Sequence, residues 1–186
     1  MNEKALLEFV EPYYAKKDAM HDLSHIRRLL NEALSISRKY HVDEETLACA
    51  AYLHGIEVGR HRDELMKFLI SQGSPKRKAS KILRVASESL RRSNPKTIEG
   101  KILHDAHLVM GGKTLMVTRF LVTGALRGFP VEHTIDYFEE DVYRKFRCYL
   151  PETRMKYFEM EEFVHEFFRD LRKSFISGER KVHRTG

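Results

Sequence analysis

The sequence predicts an all-α protein, and three observations carry that expectation. Apolar residues recur at helical spacing along most of the chain, polar caps and Gly or Pro stops punctuate those stripes, and alternating strand-type runs are almost absent. From Ile26 the stripe reads Leu29, Leu30, Ala33, Leu34 and Ile36, with Arg27, Arg28 and Glu32 off it. Asp43 is placed to cap the next helix, with Glu44 and Glu45 in the first turn, where the helix dipole favours acids. That helix runs through Leu47, Ala50, Ala51 and Leu53 to His54, and Gly55 supplies its stop. A short helix from Arg62 ends at Gly73. Ser74-Pro75 reads as a cap followed by a proline in the first turn, opening a helix that carries Lys76, Arg77, Lys78, Lys81 and Arg84. After the Asn94-Pro95 break, Thr97 and Glu99 restart a helix that reaches Met110 and stops at Gly111-Gly112. A further helix over 114–126 ends before Gly128-Phe129-Pro130, and two long helices are expected over 131–150 and 151–176. Tyr157, Phe158, Phe163, Val164, Phe167, Phe168 and Leu171 mark the core face of the last one.

A chain of 186 residues suits one domain with a sizeable core, expected over 1–178, with a basic, disordered tail over 179–186. No apolar run approaches the roughly 20 residues that span a bilayer. The opening MNEKALLEFVEPYY carries early acids and does not read as a signal peptide. Cys49 and Cys148 lie in apolar, helix-like surroundings and read as reduced buried thiols, so a cytoplasmic location is the expectation. The net charge of +6 suits a phosphorylated partner, a nucleotide or a nucleic acid; a solvated Lys/Arg/Glu surface gives the same balance.

Three places carry metal-ligating side chains: His21-Asp22-Leu23-Ser24-His25, His54 at the end of AAYLH, and His104-Asp105-Ala106-His107. A helical domain builds a metal site by projecting such residues inward from several helices. Singly, each has a plainer role: His25 as a local hydrogen-bond partner, His54 as a helix-end residue favoured by the dipole. Asp105 is harder to dismiss, because a carboxylate on a buried face must be paired, hydrogen-bonded or bound to a cation.

The segments HDLSHIRRLLNEALSI, LACAAYLHGIE and TIEGKILHDAHLV together resemble the HD superfamily of metal-dependent phosphohydrolases, with the match running from about His21 to about Arg127. It is closest to the small bacterial and archaeal members that resemble nucleotide pyrophosphohydrolases. The resemblance implies a helical bundle of eight or nine helices. It also implies a divalent ion (Mn, Fe, Co, Ni or Mg) on His25, His54 and Asp105, and a nucleotide or other phosphate ester or anhydride as substrate. The pattern departs from the family at Gly55, which stands where the Asp of the defining pair belongs. The family's Asp-Ala-Asp is Asp105-Ala106-His107, and its His-Ser pair is Glu88-Ser89. Coordination is then expected to be weaker, so a non-catalytic module binding nucleotide, nucleic acid or protein stands as the alternative.

Glu57, just after Gly55, is the candidate to replace the missing carboxylate and, with Asp105, to serve the reaction. His107 is expected to point about 200° away from Asp105 on an ideal helix, off the metal. Arg28, Lys101 and Arg119 are the candidate phosphate contacts, chosen by nearness to the motifs. Oligomeric state is left open by the sequence.

Overall fold

The computed structural model describes the backbone of residues 1–182 and the side chains of residues 1–175. Nine helices and no strand occur among the described residues: α1 (Glu3–Tyr14), α2 (Leu23–Ser37), α3 (Glu44–Tyr52), α4 (Arg62–Ser71), α5 (Lys76–Glu88), α6 (Ile98–Val109), α7 (Gly112–Leu126), α8 (Val131–Asp141) and α9 (Pro151–Val182). The all-α expectation is met. None of the described helices is long and apolar enough to cross a membrane. The chain packs as two compact units, Met1–Met110 with Cys148–Arg154, and Gly111–Arg147 with the chain from Met155 onward.

The caps seen in the sequence do their work. The Asp43 carboxylate accepts from the Thr46 amide at 3.0 Å, and the Thr97 hydroxyl accepts from the Gly100 amide at 2.9 Å. Asp22 caps α2 through the Ser24 amide at 2.8 Å, which fixes where His25 sits in the first turn. Gly55 has φ +80, the left-handed conformation that terminates the α3 turn and that a side chain adopts only with strain. Pro75, expected inside the first turn of α5, instead occupies the position just before it.

In the first unit α2 packs most extensively on α6, while α5 contacts α3, α4 and α6. Ile26, Leu29, Leu47, Leu53, Leu65, Leu69, Ile82, Leu83, Ile102 and Leu103 are fully buried at these contacts. Each such side chain contributes about 1.5–3 kcal/mol by leaving water. Helix α6 is the central one. Apart from Ile98, Lys101 and His107, which are half-buried, every residue from Glu99 to Val109 is buried.

The second unit holds α7, α8 and most of α9 around Phe120, Phe138 and Phe168. Their rings meet edge to face, with centroids 5.2 Å apart for Phe120–Phe138 and 5.3 Å for Phe138–Phe168. Gly124 lets α7 and α8 close up, since a Cβ there would lie 2.1 Å from the Thr134 hydroxyl oxygen. The expected helix over 131–150 stops at Asp141. There the Tyr143 amide turns back to the Phe138 carbonyl at 2.7 Å, and Arg144 enters the left-handed region with φ 59. Pro151 also disfavours a helical Leu150 before it. On α9 the core face is narrower than the stripe suggested: Tyr157, Val164 and Phe168 are buried, and Phe158 and Phe167 are exposed. Helix α9 continues to Val182; the rest of the basic tail expected from residue 179 lies outside the described residues.

Candidate metal centre

Three imidazoles meet inside the first unit. His25 comes from the first turn of α2, His54 from the turn that ends α3, and His107 from the last turn of α6. Ring centroids are 5.6 Å apart for His25–His54, 5.5 Å for His25–His107 and 4.3 Å for His54–His107. One ring nitrogen of each lies within 4.8 Å of the others. A tetrahedral ion holding nitrogens at 2.0–2.1 Å sets them about 3.3 Å apart, so a closure of about 1.5 Å at most would bring the three to ligand spacing.

Buried partners orient His54. Its Nδ1 lies 2.6 Å from the Ser89 hydroxyl, and that hydroxyl lies 2.5 Å from the Ala86 carbonyl. A carbonyl only accepts, so the single hydroxyl proton goes to Ala86 and the serine oxygen accepts from Nδ1–H. The lone pair of His54 is then on Nε2, the nitrogen that can serve as a ligand. This is how metal-binding imidazoles are held, with the far nitrogen donating to a fixed acceptor. Tyr14 donates to the carbonyls of His54 and of Tyr52, the latter at 3.2 Å, and burial raises its phenol well above the usual range. Lys17 donates to the Gly55 carbonyl at 2.8 Å, and burial lowers its ammonium below the ordinary lysine value. Tyr14 and Lys17 thus pin the turn that carries His54. No sequence signal marked them, since they stand about 40 residues from it.

Asp105 lies elsewhere. It is fully buried, and its carboxylate accepts from the amides of Tyr149 at 2.9 Å and Leu150 at 2.8 Å and from the Thr153 hydroxyl at 2.6 Å. His104 adjoins it, Nδ1 to Oδ1 3.0 Å. The two positions of the Asp-Ala-His stretch are therefore exchanged relative to expectation, with His107 on the other imidazoles and Asp105 on the chain before and into α9. Helix α6 is packed on nearly all sides, so side chains pointing in different directions both lead into protein.

Glu57 is exposed, and its carboxylate lies 3.9 Å from Arg60, away from the imidazole cluster. Arg28, one turn along α2 from His25, is half-buried and donates to the Ser24 hydroxyl at 2.9 Å. Lys101 is half-buried on α6, and Arg119 is half-buried on α7 of the second unit. His21 stands beside the cluster, its ring 5.7 Å from His25 and its Nδ1 2.8 Å from Asp18.

No protein-family model and no curated protein matches this chain. Solved structures do. An HD-superfamily hydrolase from Bacillus thuringiensis aligns with a TM-score of 0.70 at 19% identity, over 93% of this chain and 95% of that one. Bacillus subtilis YpgQ, solved in complex with ADP, aligns at 0.70 and 20% identity, over 90% and 96%. A Lactobacillus plantarum protein aligns at 0.78 and 13% identity, over 95% and 99%. The chain shares its fold with these three structures, one of which is an HD-superfamily hydrolase.

Proposed function

We propose that this protein is a metal-dependent phosphohydrolase acting on a nucleotide or a related phosphate ester or anhydride. The observation that carries the reading is the convergence of His25, His54 and His107 from three helices, with the Ser89 contact holding the His54 lone pair on Nε2. The residues fit a divalent ion. Three imidazoles without a carboxylate suit zinc, iron, cobalt or nickel better than magnesium or manganese. Bound there, such an ion supplies Lewis acidity and activates water toward a phosphate group. Arg28 and Lys101, on the same helices as His25 and His107, are the candidates to neutralise phosphate charge. YpgQ, which shares the fold, was solved with ADP, and this supports a nucleotide ligand here.

One observation favours a second reading, a nucleotide-binding module without turnover: the imidazole cluster contains no carboxylate, and Gly55 offers none. One experiment separates the readings. Chelator-stripped protein is titrated with zinc and with manganese by calorimetry, and phosphate release from ADP and ATP is then measured. The expected result is one equivalent of zinc bound more tightly than manganese, lost in His54→Ala and in His107→Ala, with phosphate released by the loaded protein. Zinc uptake unchanged in both variants would overturn the metal centre; uptake without phosphate release would leave the binding module.

A further inference from the structure

A second feature of the first unit is a groove of about 1230 Å³ along α5, at the opposite end of α3 from His54. Asp43 caps one end of that helix and His54 follows the other, so the groove and the imidazoles stand roughly 15 Å apart. Arg62, Arg77, Lys78, Lys81 and Arg84 line it, and Asp43 is the one acid among the lining residues. The pattern on α5 is helical: Arg77, Ser80, Lys81, Arg84 and Ser87 fall three or four residues apart, a single stripe of cations and hydroxyls about 15 Å long. The opposite stripe, with Ala79, Ile82, Leu83 and Ala86, is buried in the core.

The charges are not used up internally. Lys78 pairs with Asp43 at 3.4 Å and with Glu45, and Lys81 pairs with Glu99 at 2.6 Å. Arg62, Arg77 and Arg84 are exposed and have no acid within 4.0 Å among the described residues. Two guanidiniums on the stripe, Arg62 across the groove from α4 and two serine hydroxyls form a surface for phosphate oxygens, which guanidinium groups bind in a forked geometry. No aromatic ring lines the groove, so it lacks the stacking platform that single-stranded bases require. A surface that meets phosphates and ignores bases reads the outside of a duplex.

We infer that the α5 groove binds the phosphodiester backbone of double-stranded nucleic acid, without regard to base sequence. The inference stands apart from the metal centre and does not need it. The three arginines without acid partners set the expected salt dependence. Neutralising three phosphates gives a slope of about −2.7 in log affinity against log salt, or roughly a 40-fold loss between 50 and 200 mM salt.

Fluorescence anisotropy with a labelled 20-base-pair duplex tests it on the full chain. Arg77→Ala/Arg84→Ala, at two exposed positions, should keep the native melting temperature. It should lower the slope by about 1.8 and weaken binding at least tenfold at 100 mM salt. Lys113→Ala, on α7, should change neither. Absence of binding at 50 mM salt, an unchanged slope in the double variant, or a strong preference between duplexes of different sequence would overturn the inference. Displacement of the duplex by poly-glutamate at equal charge concentration would also overturn it, and would assign the groove to an acidic protein partner.

Discussion

Asp105→Asn separates two roles that the sequence alone could not distinguish. The substitution keeps size and shape but turns one carboxylate oxygen into a donor. Asp105 is fully enclosed and receives two backbone amides and one hydroxyl. Hydrogen bonds to a charged acceptor contribute about 1.5–3 kcal/mol each, and a buried donor left facing another donor costs about 1–3 kcal/mol more. With one amide oxygen remaining for at least three donors, the expected loss is about 3–5 kcal/mol. For a chain of this size that corresponds to a fall in melting temperature of roughly 10 °C or more. Urea unfolding at neutral pH gives the free energy, and calorimetric zinc titration of the folded variant gives the metal affinity. The expected pair is a large stability loss with zinc affinity within about threefold of the parent. A stability change under 1 kcal/mol together with a tenfold or greater loss of zinc affinity would refute the structural assignment and return Asp105 to the metal.

Ser89→Ala removes the acceptor of the His54 Nδ1 proton, and zinc affinity should fall about 10–100-fold while the fold survives; an unchanged calorimetric affinity would show that the ring needs no such partner. Gly55→Asp is expected to lose stability, by about 1 kcal/mol or more from its left-handed backbone, and to gain no metal affinity. Its Cβ would lie 3.0 Å from the Lys17 ammonium, so the new carboxylate meets a cation before it meets an imidazole; a rise in zinc or manganese affinity would count against this geometry. Burial pushes the Glu99 carboxyl up, but Lys81 at 2.6 Å and nearby amides pull harder and hold it below its usual value of 4.5. Its contribution is therefore present above about pH 4.5 and fades as pH falls through the lower folded value. Glu99→Gln should flatten the acid limb of stability below about pH 4.5; an identical limb in urea melts would show that the pair contributes nothing.

How far the sequence could be read depended on whether a signal was local. The caps at Asp43 and Thr97 and the stop at Gly55 each involve residues within a few positions of one another, and the structure shows each as expected. The end of α8 carried no such signal: Arg144 takes the left-handed conformation without being Gly or Asn, and the proline comes ten residues after Asp141. For the site, His25 and His54 were legible only through the motif segments that resemble the HD superfamily. Helix α6 has no amphipathic stripe to read: its interior surrounds it, and a helical wheel cannot choose between Asp105 and His107 when both directions are buried. A buried carboxylate can be satisfied by an ion pair, a cation or hydrogen bonds, and the chain satisfies Asp105 with hydrogen bonds. Tyr14 and Lys17 had no signal at all, since they act on backbone carbonyls, which every residue possesses.

The Asp105 contacts also have a consequence for how the chain is made. They join residue 105 to positions 149, 150 and 153, and the 37 residues from Gly111 to Arg147 that intervene belong to the other unit. On a ribosome, the first hundred or so residues emerge carrying a buried acid whose donors have not yet been translated. Until Thr153 clears the exit tunnel, Asp105 has only water or His104 to satisfy it, and that part of the interior stays open. Closing the 45-residue span costs roughly 3 kcal/mol of chain entropy, of the same order as what the clasp returns. The first unit is thus begun early and sealed late, and a nascent chain truncated before Cys148 should be held in an unfinished, protease-sensitive state.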